Sequence, residues 1–174
     1  PRDTNQNDAV GLNICTENKN AIKKERKVHL YYNPESTGTV FDLGMAFMAR
    51  KPLIVINNEF NYNENDKILG FITNYAEKID FLYDFYENML KRKKEIEKAR
   101  LVEYAWKGND REFLFDFGMV FMAGKPIFLK NREEVEKQKT EGKSFQNVLL
   151  ALHDSLFRRM PFDEFERKYG IKKE

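Results

Sequence analysis

The sequence predicts an α/β fold in which parallel strands are covered by helices and in which the chain consists of two repeated halves. The first observation is the repeat: residues 41–57 recur as residues 115–131, 74 positions later, with ten of seventeen positions identical. The second is that each copy reads as a capped helix followed by a short apolar strand, with another strand before the helix. Such strand–helix–strand units form a parallel pair with a right-handed crossover. We therefore expect halves at about 1–60 and 61–140, followed by helices over 144–170.

Length and charge indicate a single domain over 1–174 without a nucleic-acid partner. A chain of 174 residues with 41% hydrophobic side chains can bury one core. Nucleic-acid-binding domains normally show clustered, unbalanced basic residues. Here the formal net charge is +2, and the densest basic run, 91–94, lies beside Glu95 and Glu97, which is typical of a solvated helix face.

Cysteine content and hydropathy point to a cytoplasmic protein. Cys15 is the single cysteine, so the chain has no disulfide framework and suits a reducing compartment. No segment approaches the roughly 18 continuous apolar residues of a membrane span, and no signal peptide is recognisable, so we expect no membrane partner. Because the sequence opens on Pro1 rather than Met, we expect the natural N-terminus to lie upstream.

The first elements follow from turn and strand signals. Residues 1–11 are polar and turn-rich, which predicts a loop. This loop is either a frayed terminus or a ligand loop, because Arg2 and Asp3 are among its many hydrogen-bonding side chains. A short helix follows over 12–24, and the β-forming residues 28–32 predict the first strand.

The first copy of the repeat supplies a helix and a buried strand. Ser36 can cap the helix, and apolar residues recur after it at helical spacing. The Lys51–Pro52 pair ends the helix, and the apolar run 53–56 is the pattern of a buried strand. Gly44 lies within the helix, where glycine is less favourable than Ala by about 1 kcal/mol. We therefore expect that the missing side chain permits close packing at that point.

Residues 61–98 predict one long helix with a heptad seam. Its apolar residues alternate between spacings of four and three, namely Ile68, Ile72, Tyr75, Ile79, Leu82, Tyr86 and Met89. The seam either covers the sheet or pairs with a second subunit through the 64–98 helix. Beyond it we expect a strand over 101–106, a helix over 109–123, a strand over 127–129, and helices that begin at Ser144 and Pro161.

The sequence predicts no metal and no cofactor. His29 and His153 each lack a second His or Cys at ligand spacing, and neither a Gly-x-Gly-x-x-Gly motif nor a Walker loop is present. An acid near the start of each repeated helix, Asp42 or Asp116, remains as a candidate for chemistry. Each either complements the helix dipole or faces a ligand, because ligands of parallel sheets collect where strand ends meet helix N-termini.

Residues 33–57 resemble the signature of the nucleoside 2-deoxyribosyltransferase superfamily. That signature is a Gly-containing turn, a helix whose acidic residue precedes Leu-Gly, and a Lys-Pro pair before a strand. The acid of the motif is the family's nucleophile, and it aligns with Asp42. Ser36-Thr-Gly38 resembles the Ser-x-Gly of the 2'-deoxynucleoside 5'-monophosphate hydrolase branch, in which the serine contacts the phosphate. The transferase branch has Asp at the position of Ser36.

The resemblance implies a Rossmann-like, flavodoxin-like fold and an enzyme that cleaves or transfers at the N-glycosidic bond of a (deoxy)nucleoside or its 5'-monophosphate. Asp42 would attack C1' and form a glycosyl-enzyme that water or another base resolves, as in retaining glycosidases. Family active sites are often completed by a neighbouring subunit, which implies a homo-oligomer. The binding residues that the resemblance implies are Ser36, Gly38, Asn33, Arg2 and Asp3.

The chain departs from the family pattern in three places. The family nucleophile is normally Glu, so the carboxylate of Asp42 is drawn back by more than about 1 Å, a displacement that can cost on the order of a hundredfold in rate. The family usually opens with a strand and a loop that shape the base pocket, and the sequence begins at Pro1 without them, so either the pocket is incomplete or the sequence is trimmed. In the second half, Asp110 lies six positions before Asp116, as in the transferases, but Glu112 replaces the glycine, so Asp42 is the preferred nucleophile. The alternative is a catalytically inactive nucleotide-binding or assembly protein of the same fold, with the long helix as its interface.

Overall fold

The computed structural model describes residues 4–33, 35–57, 80–140 and 143–172. Within these ranges the protein is a mixed α/β structure with seven helices and four short strands. The helices are α1 (Thr4–Lys24), α2 (Thr37–Met48), α3 (Asp80–Lys98), α4 (Arg111–Ala123), α5 (Arg132–Lys137), α6 (Phe145–Arg159) and α7 (Phe162–Tyr169). The strands are β1 (Val28–Leu30), β2 (Leu53–Val55), β3 (Val102–Tyr104) and β4 (Ile127–Leu129).

The chain divides into two compact units. The β1–β2 unit comprises 19–98 and 109–124, and thus holds α2, α3 and α4. The β3–β4 unit comprises 1–18, 99–108 and 125–174, and holds α5, α6 and α7. The boundaries fall within α1 and at the ends of α3 and α4.

The four strands form two parallel pairs rather than one continuous sheet. β1 pairs with β2 from Val28 opposite Leu53, and β3 pairs with β4 from Val102 opposite Ile127. The parallel direction follows from the helix that joins each pair, because a parallel connection requires a crossover. Each second-pair residue lies 74 positions after its counterpart in the first pair, since 28 + 74 = 102 and 53 + 74 = 127.

An asparagine side chain continues the hydrogen bonding of each strand pair by one residue. Asn57 accepts from the backbone N–H of Tyr32 at 2.7 Å and donates to the Tyr32 carbonyl at 2.8 Å. Asn131 makes the same two bonds with Trp106, at 2.9 and 2.8 Å. The amide therefore replaces a peptide group where the strand stops, and the backbone groups of Tyr32 and Trp106 keep their partners. Asn57 directly follows the predicted apolar run 53–56, and Asn131 is its counterpart in the repeat.

The N-terminal segment is helical where the sequence predicts a loop over 1–11. α1 begins at Thr4 and continues without a break to Lys24. The loop prediction, made from the polar and turn-rich composition of this stretch, is therefore wrong for residues 4–11. Gly11 is a packing residue, since a Cβ at this position would lie 3.3 Å from a side-chain carbon of Val148. Buried Cys15 and Ile22 extend the packed face of the helix.

The centre of the β1–β2 unit is the contact between α2 and α4. A Cβ on Gly44 would lie 2.0 Å from the carbonyl oxygen of Phe115, and a Cβ on Gly118 would lie 2.1 Å from the carbonyl oxygen of Phe41. The two backbones can therefore approach this closely only because both positions are glycine, as predicted for Gly44. The contact is reciprocal across the repeat, because 44 + 74 = 118 and 41 + 74 = 115.

The heptad seam is only partly within the described residues. Ile68, Ile72, Tyr75 and Ile79 lie outside them, whereas Tyr86 and Met89 are half-buried on α3. The same helix contacts α4 and buries Ile96 completely. The described part of the seam thus contributes to the β1–β2 unit, and the predicted oligomer interface over 64–98 stays a prediction.

Candidate active site

The candidate active site begins in the turn that leads from β1 into α2. Asn33 accepts a hydrogen bond from the backbone N–H of Glu35 through Oδ1 at 3.0 Å, and its carbonyl accepts from the N–H of Ser36 at 3.1 Å. Ser36 is the N-cap of α2, with extended backbone angles, and its Oγ accepts from the N–H of Thr39 at 3.3 Å. A hydroxyl that accepts in this way still has its own hydrogen to donate. Ser36 can therefore cap the helix and contact a ligand at the same time.

The first turn of α2 offers backbone N–H groups and no acidic side chain. The N–H groups of Thr37 and Gly38 have no acceptor within the helix, because they precede its first hydrogen-bonded turn. A Cβ on Gly38 would meet only Ser36 Oγ, at 3.8 Å, so the backbone is accessible there. This end of the helix carries the partial positive charge that favours an anion. Exposed Glu35 precedes the cap.

Asp42 lies in the second turn of α2, further along than the helix start that the sequence suggested. It is five residues after Thr37, which at 1.5 Å per residue is an axial distance of about 7.5 Å. Its neighbours Phe41 and Leu43 are buried, whereas Asp42 itself is half-buried. Asp42 is therefore only partly covered, and it lies about one and a half turns from the start of the helix.

Asp116, the counterpart of Asp42 in the repeat, is held in an ion pair. Arg92 donates from Nε to Oδ1 at 2.6 Å and from Nη2 to Oδ2 at 3.1 Å, so both carboxylate oxygens are engaged. The Asp116 side chain is only 16% exposed. The residue 74 positions before Arg92 is Asn18, which has no charge. The two repeated acids are thus identical in motif but differ in the residue at this matched position.

The remaining candidates have distinct positions. Asp110 is the N-cap of α4, where its Oδ1 accepts from the N–H of Phe113 at 3.1 Å. Glu112 adds a second carboxylate in the first turn of that helix. Arg2 and Asp3 lie outside the described residues. The start of α2 therefore brings together Asn33, Ser36 and Gly38, while Asp110 and Asp116 belong to α4.

Arg111 is a site residue that sequence reasoning missed. Its Nη2 donates to the hydroxyl of Tyr32, and its guanidinium carbon lies 6.0 Å from the centre of the Tyr32 ring. Tyr32 is buried and immediately precedes Asn33. α4 therefore contributes a positive charge to a side chain at the carboxyl end of β1. The residues are 79 positions apart in the chain, and no local pattern links them.

A second feature that the sequence did not predict is a cleft of about 680 Å³ in the β3–β4 unit. It lies beyond the carboxyl end of β4 and is bordered by α6 and α7. His153 of α6 lines it, although the sequence around this histidine has no pattern of a binding site. Among the described residues, no group of three or more His, Cys, Asp or Glu side chains could hold a metal ion.

Comparison with known proteins assigns no family to the chain. No family model matches the sequence, and no similar protein was found among curated proteins or solved structures. Within the described part of the chain, none of the helices combines the length and apolar character needed to cross a membrane.

Proposed function

We propose that this protein cleaves or transfers at the N-glycosidic bond of a (deoxy)nucleoside or its 5'-monophosphate, with Asp42 as the nucleophile. We also propose that α1–β1–α2–β2 and α3–β3–α4–β4 are duplicated halves of one Rossmann-like domain. The equal spacing of the elements supports duplication: Thr37 and Arg111 begin α2 and α4, and they are 74 residues apart like the strands. The sequence resemblance over 33–57 supports the reaction class.

The observation that carries the proposal is the difference between the two repeated helix N-termini. The first turn of α2 has no carboxylate and is capped by the neutral Ser36. The first turn of α4 has the capping Asp110 and Glu112. A phosphate monoester is attracted by helix N–H groups and repelled by carboxylates at a short distance. Of these two helix ends, the α2 end is therefore the better match for the 5'-phosphate of a nucleotide.

The ion pair of Asp116 argues against this second acid as the nucleophile. A nucleophilic carboxylate needs an oxygen that can reach C1', whereas both oxygens of Asp116 accept hydrogen bonds from Arg92. Attack by Asp116 would require that this ion pair break. The corresponding position in the first half is the uncharged Asn18. The ion pair therefore argues against Asp116, and the preference for Asp42 rests on the sequence resemblance over 33–57.

The mechanism follows from the positions along α2. A 5'-phosphate bound at the N–H groups of Thr37 and Gly38 would direct the sugar along the helix toward Asp42, across about 7.5 Å. The Asp42 oxygen forms a bond to C1' while the bond from C1' to the base nitrogen breaks, and the leaving base takes a proton from solvent water. Water, or a second base, then attacks C1', loses its proton to solvent and releases the carboxylate. Two displacements retain the configuration at C1'.

Base release from deoxynucleoside monophosphates tests the proposal. The protein is incubated with each of the four compounds, and free base is measured by chromatography. We expect release by the wild type, loss of release in Asp42→Asn, and retained release in the matched variant Asp116→Asn. Tight nucleotide binding without release from any compound would favour the alternative of an inactive nucleotide-binding protein. Equal release by wild type and Asp42→Asn would exclude Asp42 as the nucleophile.

A further inference from the structure

The cleft in the β3–β4 unit contains a histidine whose two ring nitrogens have different roles. His153 is 6% exposed, and its Nδ1 accepts a hydrogen bond from the backbone N–H of Leu129 at 2.9 Å. This N–H lies on the edge of β4 that does not pair with β3. Because Nδ1 accepts, the neutral ring carries its hydrogen on Nε2. Burial lowers the pKa of His153, which favours this neutral form. The ring therefore accepts from β4 through Nδ1 and has one N–H, at Nε2, to donate.

Aromatic rings surround this histidine. The ring centres of Phe128 and Phe157 lie 5.2 and 5.0 Å from that of His153. Phe162 stacks on Phe157, with ring centres 5.9 Å apart and an angle of 23° between the planes. Phe128, Phe157 and Phe162 all line the cleft and are half-buried. Together they offer flat apolar surface beside a single ring N–H, which is the usual composition of a small-molecule site.

The charges at the cleft are mostly paired. Arg132 binds both oxygens of Asp154, at 2.7 and 3.1 Å, and also donates to Glu136. Lys130 lies 2.9 Å from the carboxylate of Glu103. These bonds engage the two basic residues that follow β4.

The rim has further carboxylates. Exposed Glu133 and Glu134 line the cleft, and Glu134 accepts one bond from the neutral amide of Asn131 at 3.3 Å. Lys172 is the remaining basic side chain of the lining. An anionic ligand would therefore meet two carboxylates and basic groups that are largely engaged already.

We propose that this cleft binds a planar heteroaromatic molecule that is neutral or cationic, with a ring nitrogen or oxygen that accepts from His153 Nε2 and a face against Phe157 and Phe162. The volume of about 680 Å³ lies within the range of about 300–1,000 Å³ for such sites. The ligand is distinct from the nucleotide proposed above, because Lys130 and Arg132 are engaged in ion pairs and Glu133 and Glu134 line the rim. The two proposals stand on different residues.

Titration with isoquinoline tests this site separately from any glycosidic activity, because the probe has neither sugar nor phosphate. The chain has two histidines, so the imidazole resonances of His153 can be followed by NMR after assignment with His29→Asn. We expect saturable shifts of His153 with a dissociation constant below about 1 mM. Naphthalene-2-carboxylate, of similar shape but anionic and without a ring nitrogen, should bind at least about tenfold more weakly. Absence of saturable binding of isoquinoline, or equal binding of the two probes, would overturn the proposal.

Substitution of His153 distinguishes the role of Nε2 from that of Nδ1. In His153→Asn the side-chain oxygen can still accept from the N–H of Leu129, but the Nε2 donor is lost. We expect isoquinoline binding to weaken by about tenfold, whereas His29→Asn on β1 should bind as the wild type does. Unchanged affinity in a folded His153→Asn would contradict the proposal. If that variant does not fold, Phe162→Leu decides: weaker binding supports the site, and unchanged binding overturns it.

Discussion

Lys93 donates a hydrogen bond from Nζ to the carbonyl oxygen of Phe47 at 3.3 Å and places its ammonium 5.3 Å from the centre of the Phe47 ring. The matching pair in the repeat is Lys19 and Phe121, since each lies 74 positions from its counterpart. Lys19 Nζ donates to the Phe121 carbonyl oxygen at 2.7 Å and lies 5.1 Å from the centre of the Phe121 ring. Lys93 thus reaches the carbonyl end of α2, and Lys19 reaches the carbonyl end of α4. The helix dipole favours a cation at this end. Reciprocal contacts of this kind are typical of the interface of a two-fold symmetric dimer. Here they occur within one chain.

The glycines at the α2–α4 crossing should be required for full stability. Gly44→Ala or Gly118→Ala would place a Cβ about 2 Å from a backbone carbonyl oxygen, so the helices must separate. We expect either variant to lower the free energy of unfolding by about 3 kcal/mol or more. Denaturant unfolding measures this.

Gly38→Ala is the matched control for those variants, since it lies on the same helix with no atom nearer than 3.8 Å to the added carbon. We expect it to be neutral or to stabilise by up to about 1 kcal/mol, because Ala has the better helix propensity. A Gly44→Ala variant as stable as Gly38→Ala would contradict the close crossing.

Asp116 should contribute to stability rather than to turnover. Its bond to Arg92 is half-buried, with 34% of the Arg92 side chain exposed. We therefore expect a coupling energy of about 1–2 kcal/mol in a double-mutant cycle of Arg92→Ala and Asp116→Asn, below the value for fully buried pairs. Additive single-variant effects would show that the ion pair contributes nothing. Base release should remain in all three variants that fold.

Ser36→Asp should change phosphate preference without loss of the cap. Asp caps helices as well as Ser does, but its charge would lie about 4 Å from the proposed phosphate, which costs roughly 1–4 kcal/mol depending on exposure. We expect kcat/KM for a 5'-monophosphate to fall by about tenfold or more, while kcat/KM for the nucleoside changes little. Ser36→Ala, which removes the cap, provides the control for stability. An equal fall with both substrates would contradict a phosphate contact at Ser36.

The fold and the candidate site were predictable to different degrees. The strand pairs, both capped helices and the close packing at Gly44 follow from local patterns, because capping and apolar runs act over a few residues. The loop predicted over 1–11 was wrong because local composition does not show that Gly11 packs against Val148, far along the chain. The Arg92–Asp116 pair and the His153 cleft were missed for the same reason, since a spacing of 24 residues between partners has no local signature.

Burial of His153 should make stability fall in mild acid. Burial is the largest cause of its lowered pKa, and the nearby charge of Asp154 opposes the shift. Since the folded pKa lies below the ordinary value of about 6.5, the unfolded chain takes up a proton first as the pH falls. Stability is therefore highest above pH 6.5 and is lost as the pH falls toward the folded pKa.

Melting temperatures of the wild type and His153→Asn between pH 8 and pH 5 check this expectation. The wild type should lose stability more steeply below about pH 6.5 than the variant, which has no imidazole at this position. Parallel curves for the two proteins would contradict the buried, neutral histidine.

The most direct test of the central claim is to measure the peptide masses of the protein after a quenched reaction. The protein is mixed with a deoxynucleoside monophosphate, acid-quenched within the first turnovers, digested and mapped by mass spectrometry. We predict a deoxyribosyl 5-phosphate adduct on the peptide that contains Asp42, absent from Asp42→Asn and present in Asp116→Asn. Free base released with the adduct on another residue, or neither base nor adduct with any of the four monophosphates, would contradict Asp42 as the nucleophile.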